Sequence, residues 1–131
     1  KIDEEFSTLK DTAMKGNRNL TNKLLGSTII ENEKIPLYIN MINQRLNKLR
    51  ELLSISENKR ISDAVNEMKP PIFWKDKDNF LNQAKLWDKK KISIALEKTY
   101  NFEIDFKSNY ITNKIILVKK LLLDICVLAT A

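Results

Sequence analysis

At the start of the chain the apolar residues Ile2, Phe6, Leu9 and Ala13 step by four, three and four. That spacing lays them along one face of a helix. Asp3, Glu4 and Glu5 fall in its first turn, where the helix dipole favours negative charge, and Gly16 supplies a stop. A second helix carries Leu20, Leu24, Leu25 and Ile29, with Gly26 as a weak point costing about 1 kcal/mol against alanine. Pro36 suits the first turn of a third helix, because its missing N–H would go unpaired there anyway. Ile35, Ile39, Ile42, Leu46, Leu49 and Leu53 form the apolar line of this helix, opposite Asn40, Asn43, Gln44, Asn47, Lys48 and Glu51. A short fourth helix, Glu57 to Asn66, rests on Ile61, Ala64 and Val65.

The stretch "KPPIFWK" interrupts this rhythm. Pro70 and Pro71 end helical geometry and push the chain into an extended connector, along which Ile72, Phe73 and Trp74 alternate faces. A fifth helix from about Asp78 to Leu86 would bury Phe80, Ala84 and Trp87. Asp88 is placed to cap a sixth, whose inner face reads Ile92, Leu96, Thr99, Phe102 and Phe106. "KSNY" breaks the pattern again. The last helix runs on Ile111, Ile115, Val118, Leu122, Ile125 and Ala129, with Leu117, Leu121 and Leu128 as a second stripe. A helix so widely apolar lies at the centre of a bundle or against another subunit; in a chain of this size the centre is the expected place.

Composition narrows the class. The 131 residues suit one domain, and only two Gly and three Pro leave too few turn formers for an all-β fold. The expected fold is an all-α bundle of about six to seven helices spanning 1–131. Net charge is +6, a lean towards acidic partners such as nucleic acid, although lysine is also the ordinary solvent-facing charge of a helix. Cys126 stands alone in an apolar run and reads as a small buried hydrophobe. Lys119, Lys120 and Asp124 interrupt the apolar end, so no membrane span is expected; a lone cysteine gives no sign of secretion, and a cytoplasmic location is expected. The chain begins with Lys, as a piece of a longer protein would.

Catalytic chemistry finds little to use. Without histidine there is no imidazole base, no Ser-His-Asp triad and no histidine zinc site. The two glycines stand apart, which excludes a glycine-rich phosphate loop. Glu103 and Asp105 are spaced two apart and so point to different faces of a helix, and Asp76 with Asp78, flanked by lysines, reads as local charge balancing and capping. No enzyme activity, metal or cofactor is expected. Trp74 and Trp87 read first as packing residues; the sharper reading of Trp74 is an aromatic anchor at a subunit interface.

Taken together, "KPPIFWKDKDNF" and "LWDKKKISIALEKTYNFEIDFKSN" resemble the C-terminal domain of the delta subunit of the bacterial DNA polymerase III clamp loader. The "KGN" turn and "EKIPLYINMINQRLNKLRELL" extend the resemblance over essentially the whole chain, and Glu103, Ile104, Asp105, Phe106 and Lys107 match the family's exit before its final helix. Asp88 departs from the Ser or Thr usual at that cap. The resemblance implies a collar domain, which would assemble with the delta-prime and ATPase subunits during loading of a sliding clamp onto primed DNA. Nucleotide-fold and lid domains would lie upstream, and the clamp would be gripped only through them. Trp74, Leu117, Leu121 and Leu128 are the expected subunit contacts. The family's turn near arriving primer–template DNA matches "KSNYIT", which makes Tyr110, Lys107 and Lys114 candidate DNA contacts; a tyrosine stacked on an unpaired base is worth about 1–3 kcal/mol. The rival reading is an independent helical DNA-binding domain using Lys89, Lys90 and Lys91, which would need a recognition helix with Arg, Asn or Gln aimed at base edges.

Overall fold

Asp3 accepts a hydrogen bond from the Phe6 amide at 2.9 Å and so caps α1 (Glu4–Met14). The coordinates, a computed structural model, describe residues 3–108 and 113–131. Gly16 ends α1 in the left-handed region, at φ 68°. Asn17 at once caps α2 (Arg18–Ser27) by accepting from the Leu20 amide. A single turn of 3-10 helix leads into α3 (Ile35–Ile55), with Pro36 in its first turn as the sequence suggests.

The fourth helix is shorter than expected. α4 covers only Ile61–Ala64 and continues as one 3-10 turn, because Lys59 and Arg60 are extended and no side chain caps the start. After the proline connector, α5 (Lys77–Ala84) and α6 (Lys89–Phe106) meet at Trp87 and Asp88. Asp88 caps α6 through the Lys91 amide at 2.8 Å. α7 (Lys114–Ala129) closes the chain, capped by Asn113. The described residues thus form an all-α bundle of seven helices.

The middle of the bundle is α3. It packs against α1, α4, α5 and α6 and buries Ile35, Tyr38, Ile39, Ile42, Leu46, Leu49 and Leu52. Tyr38 stacks on Phe6 with ring centroids 4.2 Å apart, and its hydroxyl accepts from the Glu31 amide. The expected apolar lines are right to within one residue. Leu52 is fully buried where Leu53 was expected, and Ile30 is buried while Ile29 and Leu20 are exposed. On α6, Ala95 lies in the core beside a half-buried Leu96.

α7 is not the central helix. It packs on α1, α2 and α6, and this leaves one face open. Its buried line is Val118, Leu122, Ile125 and Ala129, as expected, joined by Leu121 and Cys126. Ile2 and Ile111, expected on helix faces, lie outside the described residues.

Candidate functional site

Three surface features follow from this packing. The first is the proline connector. Ile72 is half-buried, whereas Phe73 and Trp74 project into solvent, Trp74 with 73% of its surface exposed. Lys75 places its ammonium 5.3 Å from the Trp74 ring. The Lys69–Pro70 peptide is cis. The knob is anchored from below: Asp76 binds Arg45 of α3 at 2.7 Å, and the same guanidinium lies 3.4 Å from Asp11 of α1 and over the Phe80 ring. Gln83 donates to Asp11 at 3.2 Å. Beside this network, Lys10 is buried with Asp11 at 3.5 Å; burial pushes its ammonium below the usual lysine range, against the opposing pull of Asp11. A groove of about 1020 Å³ between α1, α3 and the connector runs over Lys10, Met41, Arg45 and Phe73.

Trp87 does the opposite of Trp74. It is buried, and its indole N–H donates to the Met14 carbonyl at 2.8 Å, riveting the α5–α6 joint to the end of α1. Met14 is the last residue of α1, so the bond satisfies one of the carbonyls that a helix end leaves open.

The second feature is the open face of α7. Ile116, Leu123 and Val127 are exposed at 59, 38 and 49% and follow helical spacing, with Lys120 between them. The interface stripe expected from the sequence sits differently. Leu121 belongs to the chain's own core at 4% exposure, and Leu117 and Leu128 are half-buried shoulders. The helix is turned by its contacts with α1, α2 and α6, so its free apolar line is one that the residue spacing alone did not select. On α6, Ile94, Tyr100 and Ile104 are exposed as well. Lys98 approaches Asp124 at 3.9 Å across the α6–α7 pair.

The third feature is the end where α6 stops and α7 starts. Lys107 is exposed, but the Lys114 ammonium turns inward, donating to the Phe106 carbonyl and lying 4.6 Å from the centre of its ring. Tyr110, the candidate base-stacking residue, lies outside the described residues. Asn43, expected on a solvated face, is half-buried: it accepts from Thr99 at 2.6 Å and donates to Glu103 at 3.3 Å. Among the described residues, no group of three His, Cys, Asp or Glu side chains comes together as a metal site, and no helix is long and apolar enough to cross a membrane.

The lysine run of α6 is divided among three tasks. Lys91 donates to the carbonyls of Leu86 and Ala129, closing the last turn of α7. Lys89 pairs with Glu57 at 2.9 Å and holds that carboxyl below its usual range. Lys90 faces solvent. Compared with protein-family models, with curated proteins and with solved structures, the chain has no match.

Proposed function

We propose that this chain is a helical assembly module, the collar domain of a clamp-loader delta subunit, which packs against the corresponding domains of the delta-prime and ATPase subunits. The observation that carries the reading is the unpartnered apolar line Ile116, Leu123 and Val127 on α7. Monomeric domains rarely leave an ordered apolar face in water, and this face lies on the last helix, within the stretch that resembles the delta family. Trp74 supplies the aromatic anchor typical of interface centres, two residues before the Asp76–Arg45 bond that ties the connector to α3. In this reading the module holds subunits together and leaves nucleotide hydrolysis and clamp gripping to other parts of the loader. Tyr110 would stand near arriving primer–template DNA, and a Tyr110→Ala protein would then load clamps onto primed DNA more slowly than its parent.

The test is a binding experiment with the C-terminal domains of delta-prime and the ATPase subunit. The parent chain should form a complex, and Ile116→Glu with Val127→Glu, both at exposed positions, should abolish it without unfolding the protein. A complex that survives both changes would remove α7 from the interface.

A further inference from the structure

The charges of the bundle are segregated along its length. One end gathers the starts of α1 and α3 and the finish of α6: Lys34 reaches Asp3 at 3.6 Å and Glu31 at 2.8 Å, and Phe106 and Lys107 share a cavity of about 210 Å³ with Ile35 and Pro36. Glu4, Glu5, Glu33 and Asp105 are exposed there. The other end gathers the α1–α2 turn, the α5–α6 joint and the finish of α7. Three contacts fix that convergence. Trp87 binds the Met14 carbonyl, Lys91 binds the Ala129 carbonyl at 3.2 Å, and Arg18 approaches the Thr130 hydroxyl at 3.4 Å.

This second end is cationic. Lys15, Arg18, Lys85 and Lys90 are all exposed there, and Lys23 is exposed further along α2. None of them has a carboxylate within ion-pair distance among the described residues; Lys85 and Arg18 meet only Asn82 and Thr130. The sequence from Lys15 to Ile30 contains no acid at all, and Asn17, Asn19 and Asn22 are exposed between its cations. Of the nearby carboxylates, Asp88 is occupied as a cap and Glu57 is paired with Lys89. With a net charge of +6 on the whole chain, this end alone holds most of the excess. Lys90 stands in the first turn of α6, where a cation opposes the helix dipole and lowers stability. A solvated face would not concentrate uncompensated cations in two segments, distant in the chain, that meet only in the folded protein.

We propose that the end of the bundle formed by Lys15, Arg18, Lys85 and Lys90 is a docking surface for the phosphodiester backbone of a nucleic-acid strand. Exposed lysine and arginine tips with asparagine donors between them match phosphate and sugar oxygens, the contacts that position a protein on nucleic acid without reading its sequence. This end lies opposite Lys107 and Lys114, whose surroundings are acidic. The inference stands apart from the assembly reading, because the isolated chain carries the whole surface.

The experiment is fluorescence anisotropy of the 131-residue chain with a labelled primed template, at about 50 mM and about 200 mM salt. Binding is expected at low salt, weakening on the order of a hundredfold at the higher concentration if about four phosphates are neutralised. Lys15→Glu, Arg18→Glu and Lys90→Glu together should remove it. Arg18→Glu and Lys90→Glu place an acid at a helix start, where it is favourable, and Lys15→Glu places one at the end of α1, where it is not; circular dichroism checks that the variant keeps its fold. The control, Arg60→Glu, Lys69→Glu and Lys75→Glu, exposed positions outside the two cationic segments, alters net charge equally and should bind nearly as the parent does. No binding at low salt, or equal loss in both variants, would overturn the proposal. Equal or tighter binding of a polyglutamate chain under the same conditions would also overturn it, by making the surface one for acidic protein.

Discussion

Arg45 and Asp76 meet at 2.7 Å, and through that bond the middle of α3 holds the proline connector in place. The Arg45 side chain is only 8% exposed, with its guanidinium also facing Asp11 and the Phe80 ring, whereas Asp76 keeps a third of its side chain in water. Removing the cation strands two carboxylates, one of them well shielded. Arg45→Met should therefore cost about 2–4 kcal/mol, towards the low side of a fully buried pair because Asp76 can rehydrate. Asp76→Asn should cost about 1 kcal/mol. Urea denaturation of the two variants measures both, and the larger loss must belong to Arg45.

The two glycines should respond in opposite directions. A Cβ at Gly16 would lie 2.2 Å from the Thr130 methyl, on a backbone at φ 68°. Gly16→Ala should destabilise by about 1–3 kcal/mol, through strain and through displacement of the end of α7. Gly26 has open space around it within α2, so Gly26→Ala should raise stability by up to about 1 kcal/mol. Thermal melts of the pair decide the matter.

The tryptophans should report separate environments. With Trp74→Phe, the remaining Trp87 emits from a buried site and resists acrylamide quenching; with Trp87→Phe, Trp74 emits at longer wavelength and is quenched freely. Trp87→Phe also abolishes the bond to the Met14 carbonyl, at a cost of about 1–2 kcal/mol. Equal quenching of the two variants would contradict the assigned exposures.

Lys10 gives a pH dependence of definite sign. Burial lowers its folded pKa below the unfolded value of 10.5, so between the two the unfolded chain binds more protons and stability rises with pH. The penalty is fully present below the folded pKa and is relieved as pH climbs towards 10.5. Tyr38, whose pKa burial raises, contributes oppositely at the top of this range, so the comparison must be between variant and parent. Lys10→Met should be as stable as the parent or more so at neutral pH, since Asp11 retains Arg45 and Gln83. Its advantage should shrink as pH rises.

Helix number and most of the core were legible in the sequence, because periodicity survives folding: Phe6, Leu9, Ala13, Ile42, Leu46, Leu49, Phe80 and Ile92 are buried as their spacing requires. What was not legible depends on which neighbour a helix meets. Arg45 shares the buried face of α3 with Tyr38 and Leu52, seven residues to either side, while Asn43, on the polar face, is drawn inward by its bonds to Thr99 and Glu103 of α6. The free line of α7 is set by α1, α2 and α6, so spacing alone favoured Leu121 over Val127. The cationic end joins Lys15, Lys90 and Thr130, residues distant in the chain, and no local pattern announces it. Asp88 as a cap, by contrast, is a local matter and was readable directly.

The central claim is that this bundle is an assembly module with α7 at its interface. Size-exclusion chromatography with light scattering, on the chain alone and mixed with the C-terminal domains of the delta-prime and ATPase subunits, tests it most directly. A defined hetero-oligomer at micromolar concentration, lost in the Ile116→Glu, Val127→Glu variant, is the predicted result. Elution of the parent chain at its own mass in every mixture would contradict it.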